Sequence, residues 1–162
     1  MSDAIHMLVK QHLECDDQLN RSVAALQKAD LASAGRNFRL FLEFLESHLT
    51  LEEQRLFPAF EQATGITQGP TVVMRDEHQQ MRQLSQQAYQ AIESGDAETA
   101  LAILDTLNIL IQQHNVKEEN ILYPMCGNSV QHLKQVLGMA GGGCGGGGGG
   151  GGVCSCSGQN AA

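Results

Sequence analysis

The 162-residue chain has 10 basic and 18 acidic residues, a formal charge of −8, 18 glycines, five cysteines and no tryptophan. Twelve of the glycines fall in residues 141–162, a stretch without charge or histidine, so the globular part is confined to residues 1–140, the length of one domain. Single Lys and Arg scattered over an acidic chain exclude a phosphate-backbone or anionic-membrane footprint, and no apolar run approaches the ~20 residues that span a bilayer.

The N-terminus, MSDAIHMLVKQHLECDD, shows no basic region followed by an apolar run, so an untargeted cytoplasmic protein is expected, its odd number of cysteines free or metal-binding. Ile5, Leu8, Cys15, Leu19, Val23 and Leu26 recur at steps of three and four and predict a first helix over about 3–29. Asp30 suits the cap of a second, whose stripe runs Phe38, Phe41, Leu45, Leu49 and Leu56 and fades over Pro58 to Thr64. After a Gly65 to Gly69 connection, Pro70 fits the first turn of a third helix with Met74, Met81, Leu84, Ala88 and Ile92 inward, closed by Ser94 and Gly95. Asp96 caps a fourth, with Leu101, Leu104, Leu107, Ile111 and Ile121 inward until Pro124 interrupts it; Val130 to Leu137 reads as a short fifth helix. With no period-two pattern, the expected class is all-α, an up-down-up-down four-helix bundle.

The most specific signal is internal. Shifted by 66 residues, HLTLEEQRLFP (48–58) lies on HNVKEENILYP (114–124), and the same ungapped shift puts His12 on His78. The repeat therefore spans 12–58 and 78–124, each copy reading H-x35-H-x3-E-E-x2-L-[FY]-P.

Within each copy the motif places polar side chains on the apolar face. His48 and Glu52, like His114 and Glu118, are one turn apart and continue the inward stripes; His12 and His78 do the same on helices one and three. At a rise of ~1.5 Å per residue, all four histidines lie roughly 25 Å from the turns near residues 29 and 95, in one layer. Buried carboxylates this close would raise each other's pKa, a cost that two divalent cations remove. Glu52 and Glu118 would then bridge, and His12, His48, His78 and His114 would be terminal ligands, leaving room for an oxo, hydroxo or water bridge and an exogenous ligand. A lone core histidine or a solvated HxxxE would explain any one of these residues, but not six in register. His6 and His132 lack repeat partners and read as surface histidines. Glu53 and Glu119 read as helix-surface charge, or alternatively as hydrogen-bond partners of a neighbouring histidine N–H. Cys15 and Met81 read as soft packing beside the site.

These residues resemble the hemerythrin-like, HHE cation-binding family, over about residues 3–126. The resemblance implies a non-heme di-iron centre, two Fe ions with those four histidines as terminal ligands and the two glutamates as bridges; spacing alone does not choose iron over manganese or zinc. Oxygen-carrying hemerythrins have HxxxH on the third helix and HxxxxD on the fourth, whereas here Met74 and Arg82 flank His78 and the last carboxylate is Glu118. The four-His, two-Glu pattern is instead similar to iron-centre repair proteins of the RIC type. That implies reaction with NO, O2 or peroxide (H2O2), with iron–sulfur proteins as partners in repair or iron donation under stress. Reversible O2 binding or sensing is the alternative, and a di-iron peroxidase or oxidase the third. Residues 141–162 are expected to form a flexible Gly-rich tail. Its Cys144, Cys154 and Cys156 are either incidental or a mobile thiol arm that takes, delivers or senses iron.

Overall fold

The structure, a computed structural model, describes residues 2–139; the glycine-rich segment with Cys144, Cys154 and Cys156 lies outside the described residues. Helix α1 (Asp3–Gln27) starts where the Ser2 hydroxyl accepts from Ile5 N–H. It stops at a short turn in which Asp30 N–H donates to the Ala25 carbonyl, and the Asp30 carboxylate accepts from Ser33 N–H at 3.0 Å to open α2 (Leu31–Leu51). The second copy repeats this device. Helix α4 (Pro70–Ser94) ends with Asp96 N–H on the Ala91 carbonyl, and Asp96 accepts from Thr99 N–H at 3.0 Å to open α5 (Ala97–Lys117).

The prolines do not break the second and fourth helical segments as their sequence suggested. Helix α2 continues through a π-helical turn, Glu52–Leu56, into α3 (Phe57–Thr64), and α5 through a second, Glu118–Leu122, into α6 (Tyr123–Ser129). Each proline is the second residue after its π turn, where the helix has already been widened. The widened turn also shifts the buried face by one residue. Leu122 is 1 % exposed, whereas Ile121, expected inward, is 55 % exposed. Val23, Leu84 and Leu101 are half-buried, not buried as expected. The expected fifth helix shortens to α7 (Leu133–Val136), between the buried Val130 and Leu137. The described residues contain no strand, and no helix among them is long and apolar enough to cross a membrane.

Contacts order the helices around the site. Ser22 meets Ala34 near the α1–α2 turn, while His12 meets His48 far from it; α5 and the π turn after it reach α1 through Gln112 on Asp16 and Glu119 on His12, and α4 reaches α2 and the π turn after it through Arg82 on Glu46 and His78 on Glu53. Two apolar clusters fill the interior. One, around Leu19, Phe38, Phe41, Met81, Leu104 and Leu107, lies toward the turns; the other, around Leu8, Leu56, Phe57, Phe60, Leu122 and Tyr123, lies toward the chain ends. Each buried Leu or Phe is worth about 1.5–3 kcal/mol of transfer free energy. Between the two clusters, where apolar residues would continue the core, sit four histidines and two glutamates.

Candidate metal centre

All six residues expected to bind metal converge in that layer. His12, His48, His78 and His114 are at most 4 % exposed, and Glu52 and Glu118 are fully buried. The Nε2 atoms of His12 and His48 are 3.1 Å apart, and those of His78 and His114 are 3.2 Å apart. Glu118 Oε2 is 3.2 Å from His12 Nε2, and its Oε1 is 3.2 Å from His114 Nε2, so this carboxylate spans the two histidine pairs. Glu52 Oε2 lies 3.5 Å from His48 Nε2 and 3.4 Å from His78 Nε2, spanning them from the other side.

The outward nitrogens decide which way the imidazoles present themselves. His12 Nδ1 is 2.8 Å from Glu119 Oε1, His78 Nδ1 is 2.9 Å from Glu53 Oε1, His114 Nδ1 is 2.9 Å from Glu77 Oε2, and His48 Nδ1 is 2.9 Å from Gln11 Oε1. Every one of these partners is an acceptor, so each Nδ1 donates and a neutral ring turns its Nε2 lone pair inward. Two such lone pairs facing each other at about 3 Å repel unless a proton or a metal ion lies between them. In addition, Glu52 Oε2 and Glu118 Oε1 are buried without a hydrogen-bond partner. Opposed imidazole nitrogens and orphaned carboxylate oxygens are what a pair of metal ions satisfies together, whereas protons on the rings leave the two carboxylate oxygens unpartnered. The donor atoms form two groups that could each hold an ion, Glu52 with His78, His114 and Glu118, and His12 with His48 and Glu118.

Without metal, protons substitute in part. Burial works against charge on His114, but the neighbouring Glu118 carboxylate, with Glu52 and Glu77, outweighs it and pushes the ring up to about 9. His12 is raised in the same way against its burial, whereas burial pushes His48 down. Against burial, the His114 and His12 rings beside it hold Glu118 well below the usual carboxylate range.

Five contributors escaped sequence reasoning or were read in their plainer sense. Glu53 and Glu119 are histidine partners rather than mere surface charge, and Gln11 and Glu77, one residue before His12 and His78, complete the outer set. Tyr123 was visible only as a Phe/Tyr exchange in the repeat. Its buried hydroxyl lies 2.7 Å from Glu52 Oε1, 2.9 Å from Glu118 Oε2 and 3.0 Å from His12 Nε2. Burial and the two carboxylates push that phenol well above its ordinary pKa, so it stands as a neutral donor. His6 and His132 are exposed, as expected. Cys15 packs in the cluster toward the turns with Met81; Cys15 and Cys126 are free, and burial pushes each thiol up to about 12.

A helical chain that interrupts its core with a layer of four imidazoles and two carboxylates is a metal-binding protein in its architecture, with a His/Glu cluster that could hold a metal. The family model of the Hemerythrin HHE cation binding domain matches residues 3–126, and the chain belongs to that family. No curated protein and no solved structure matches it.

Proposed function

We propose that the chain is an up-down-up-down bundle built on a non-heme di-iron centre, with His12, His48, His78 and His114 as terminal ligands and Glu52 and Glu118 as bridges. Its role in this reading is to react with NO, O2 or peroxide in the cytoplasm and to supply iron to damaged iron–sulfur clusters under stress. The observation that carries it is the pair of opposed Nε2 contacts flanked by two carboxylate oxygens that nothing else satisfies.

An iron pair supplies redox chemistry and open positions for a small ligand. The chain's own residues supply the rest. Outer carboxylates fix the imidazole tautomer, the two apolar clusters exclude bulk water, and the Tyr123 hydroxyl places one hydrogen-bond donor inside the layer. Two imidazoles per ion, with Met74 buried in apolar surroundings where a fifth histidine would stand, favour reactivity and iron exchange over stable carriage of O2.

Metal analysis of the purified protein tests the first half, with two irons per chain expected. Anaerobic mixing with NO, peroxide and O2, followed optically, tests the second. Fast reaction with NO or peroxide and iron delivery to an apo iron–sulfur protein are expected. A stable, reversible O2 adduct would make it an O2 carrier or sensor instead, and turnover of an added reductant a peroxidase or oxidase.

A further inference from the structure

The 66-residue repeat places the two histidine pairs in related surroundings, and every departure from that relation falls on one side. Behind His78 stands Glu53, itself gripped by Arg82 through Nη1 at 2.8 Å and Nη2 at 3.1 Å; behind His114 stands Glu77, paired with Lys117. Both carboxylates are anchored by a cation, and their side chains are 25 % and 12 % exposed. Behind His48 the repeat puts Gln11, a neutral amide, where His114 has Glu77. Behind His12 stands Glu119, 36 % exposed and, among the described residues, without Lys or Arg, because Asp16 occupies the repeat position of Arg82 and bonds Gln112 instead.

The inner face is unequal in the same sense. Phe57 stacks on His78 with ring centroids 5.6 Å apart and offers no polar atom, whereas its repeat partner Tyr123 directs a hydroxyl at His12 Nε2, at Glu118 Oε2, the carboxylate oxygen nearest that ring, and at Glu52 Oε1, leaving both histidines of the other pair untouched. Of the unpartnered oxygens, Glu118 Oε1 faces His114 at 3.2 Å, and Glu52 Oε2 lies between the pairs, 3.4 Å from His78 and 3.5 Å from His48. An ion between His78 and His114 meets ready acceptors; one between His12 and His48 must compete with a phenol for the oxygen and the nitrogen it needs.

We infer that the two metal positions, which share Glu52 and Glu118, are unequal: His78 and His114 hold the retained position, and His12 and His48 the position that fills last and releases its ion first. This rests on the dinuclear reading above and names the half that supplies exchangeable iron. Outer-partner differences of this kind change metal affinity ~10–100-fold, and the phenol adds to them.

The test is anaerobic titration of the metal-free protein with Fe(II) alone, followed by equilibrium dialysis and by the rate of loss to a chelator. The expected result is two ions per chain, the second bound at least about ten-fold more weakly and lost at least about ten-fold faster. His12→Ala should remove the weak ion and keep the tight one, and His78→Ala should do the reverse. Tyr123→Phe should narrow the gap, and Tyr123→Phe combined with Phe57→Tyr should narrow it further by moving the competing hydroxyl to the other pair; helicity by circular dichroism confirms that the variants fold. Two ions of one affinity that leave at one rate, or a gap untouched by Tyr123→Phe, would overturn the inference while leaving the dinuclear reading intact. Uptake of one ion or none by the unaltered protein would end both.

Discussion

Ala29 and Gly95 hold the same place in the two copies of the repeat and share one backbone conformation, with φ of 59° and 79°. Each lets the next residue, Asp30 or Asp96, return its N–H to the last turn of the preceding helix, on Ala25 or Ala91. Glycine reaches that left-handed region freely, whereas a Cβ makes it cost about 1–2 kcal/mol. Ala29→Gly should therefore stabilise the fold by about 0.5–1 kcal/mol after the greater unfolded-state entropy of glycine is subtracted. Chemical denaturation of the metal-free protein measures it; a lower midpoint would mean that the Ala29 methyl makes a compensating contact.

The first π turn has a comparable local debt. Phe57 N–H donates to the Glu52 carbonyl and Pro58 has no N–H, so no helical donor remains for the Glu53 carbonyl; it accepts from Arg75 Nη1 at 3.2 Å instead. Arg75 also bonds Glu61 at 3.1 Å and lies over the Phe57 ring. Arg75→Ala should destabilise the protein by about 1–2 kcal/mol. In a Pro58→Ala background, which restores an N–H at the turn, the loss should shrink. An equal loss in both backgrounds, read by a denaturation cycle, would assign the effect of Arg75 to Glu61 and Phe57 alone.

These two sites show what was legible before the fold was known. The four histidines and two glutamates of the buried layer were readable because candidate ligands must be in register on their helices, and the repeat displays that register twice. The π turns were not, since periodicity reading assumes one constant angle per residue. The repeat did hold a warning: Ile121 aligns with the exposed Arg55, and Leu122 with the buried Leu56. Gln11, Glu77 and Tyr123 stayed hidden for a different reason. Each acts on a side chain brought close only by packing between helices, and no local pattern encodes a partner 37 or 71 positions away.

Proton and metal compete for the same nitrogens, which gives a signed pH dependence. His114 moves from an ordinary 6.5 up to about 9 on folding, so its charged form stabilises the metal-free protein fully below 6.5, and that stability is lost as pH rises through about 9. His12 is raised and acts in the same sense; His48 is lowered, so its contribution is present above 6.5 and is lost as pH falls. From 6.5 to about 9 His114 therefore governs, with His12 acting in the same sense, and metal-free stability should decline. Metal binding must displace the His114 proton, so apparent affinity should climb over the same interval. Thermal midpoints with and without metal across pH 6–9 should diverge; parallel curves would show that His114 carries no proton to lose.

Glu52 exposes the conflict between holding the fold and holding the ion. Its Oε2 is buried without a partner, and its Oε1 shares the Tyr123 hydroxyl with Glu118, although that hydroxyl has one proton to donate. Glu52 Oε2 is thus left without a donor in the metal-free protein, a burial penalty of about 1–3 kcal/mol. Glu52→Gln keeps the shape, removes the charge and brings a donor that can face Glu118. The metal-free variant should be more stable than the unaltered chain by about that amount, while binding at least one ion fewer and losing most of its stabilisation by added metal. Calorimetry with and without Fe(II) separates the two effects. If Glu52→Gln instead lowers the metal-free midpoint, the carboxylate is paired in the empty site, and its burial is explained by hydrogen bonding alone.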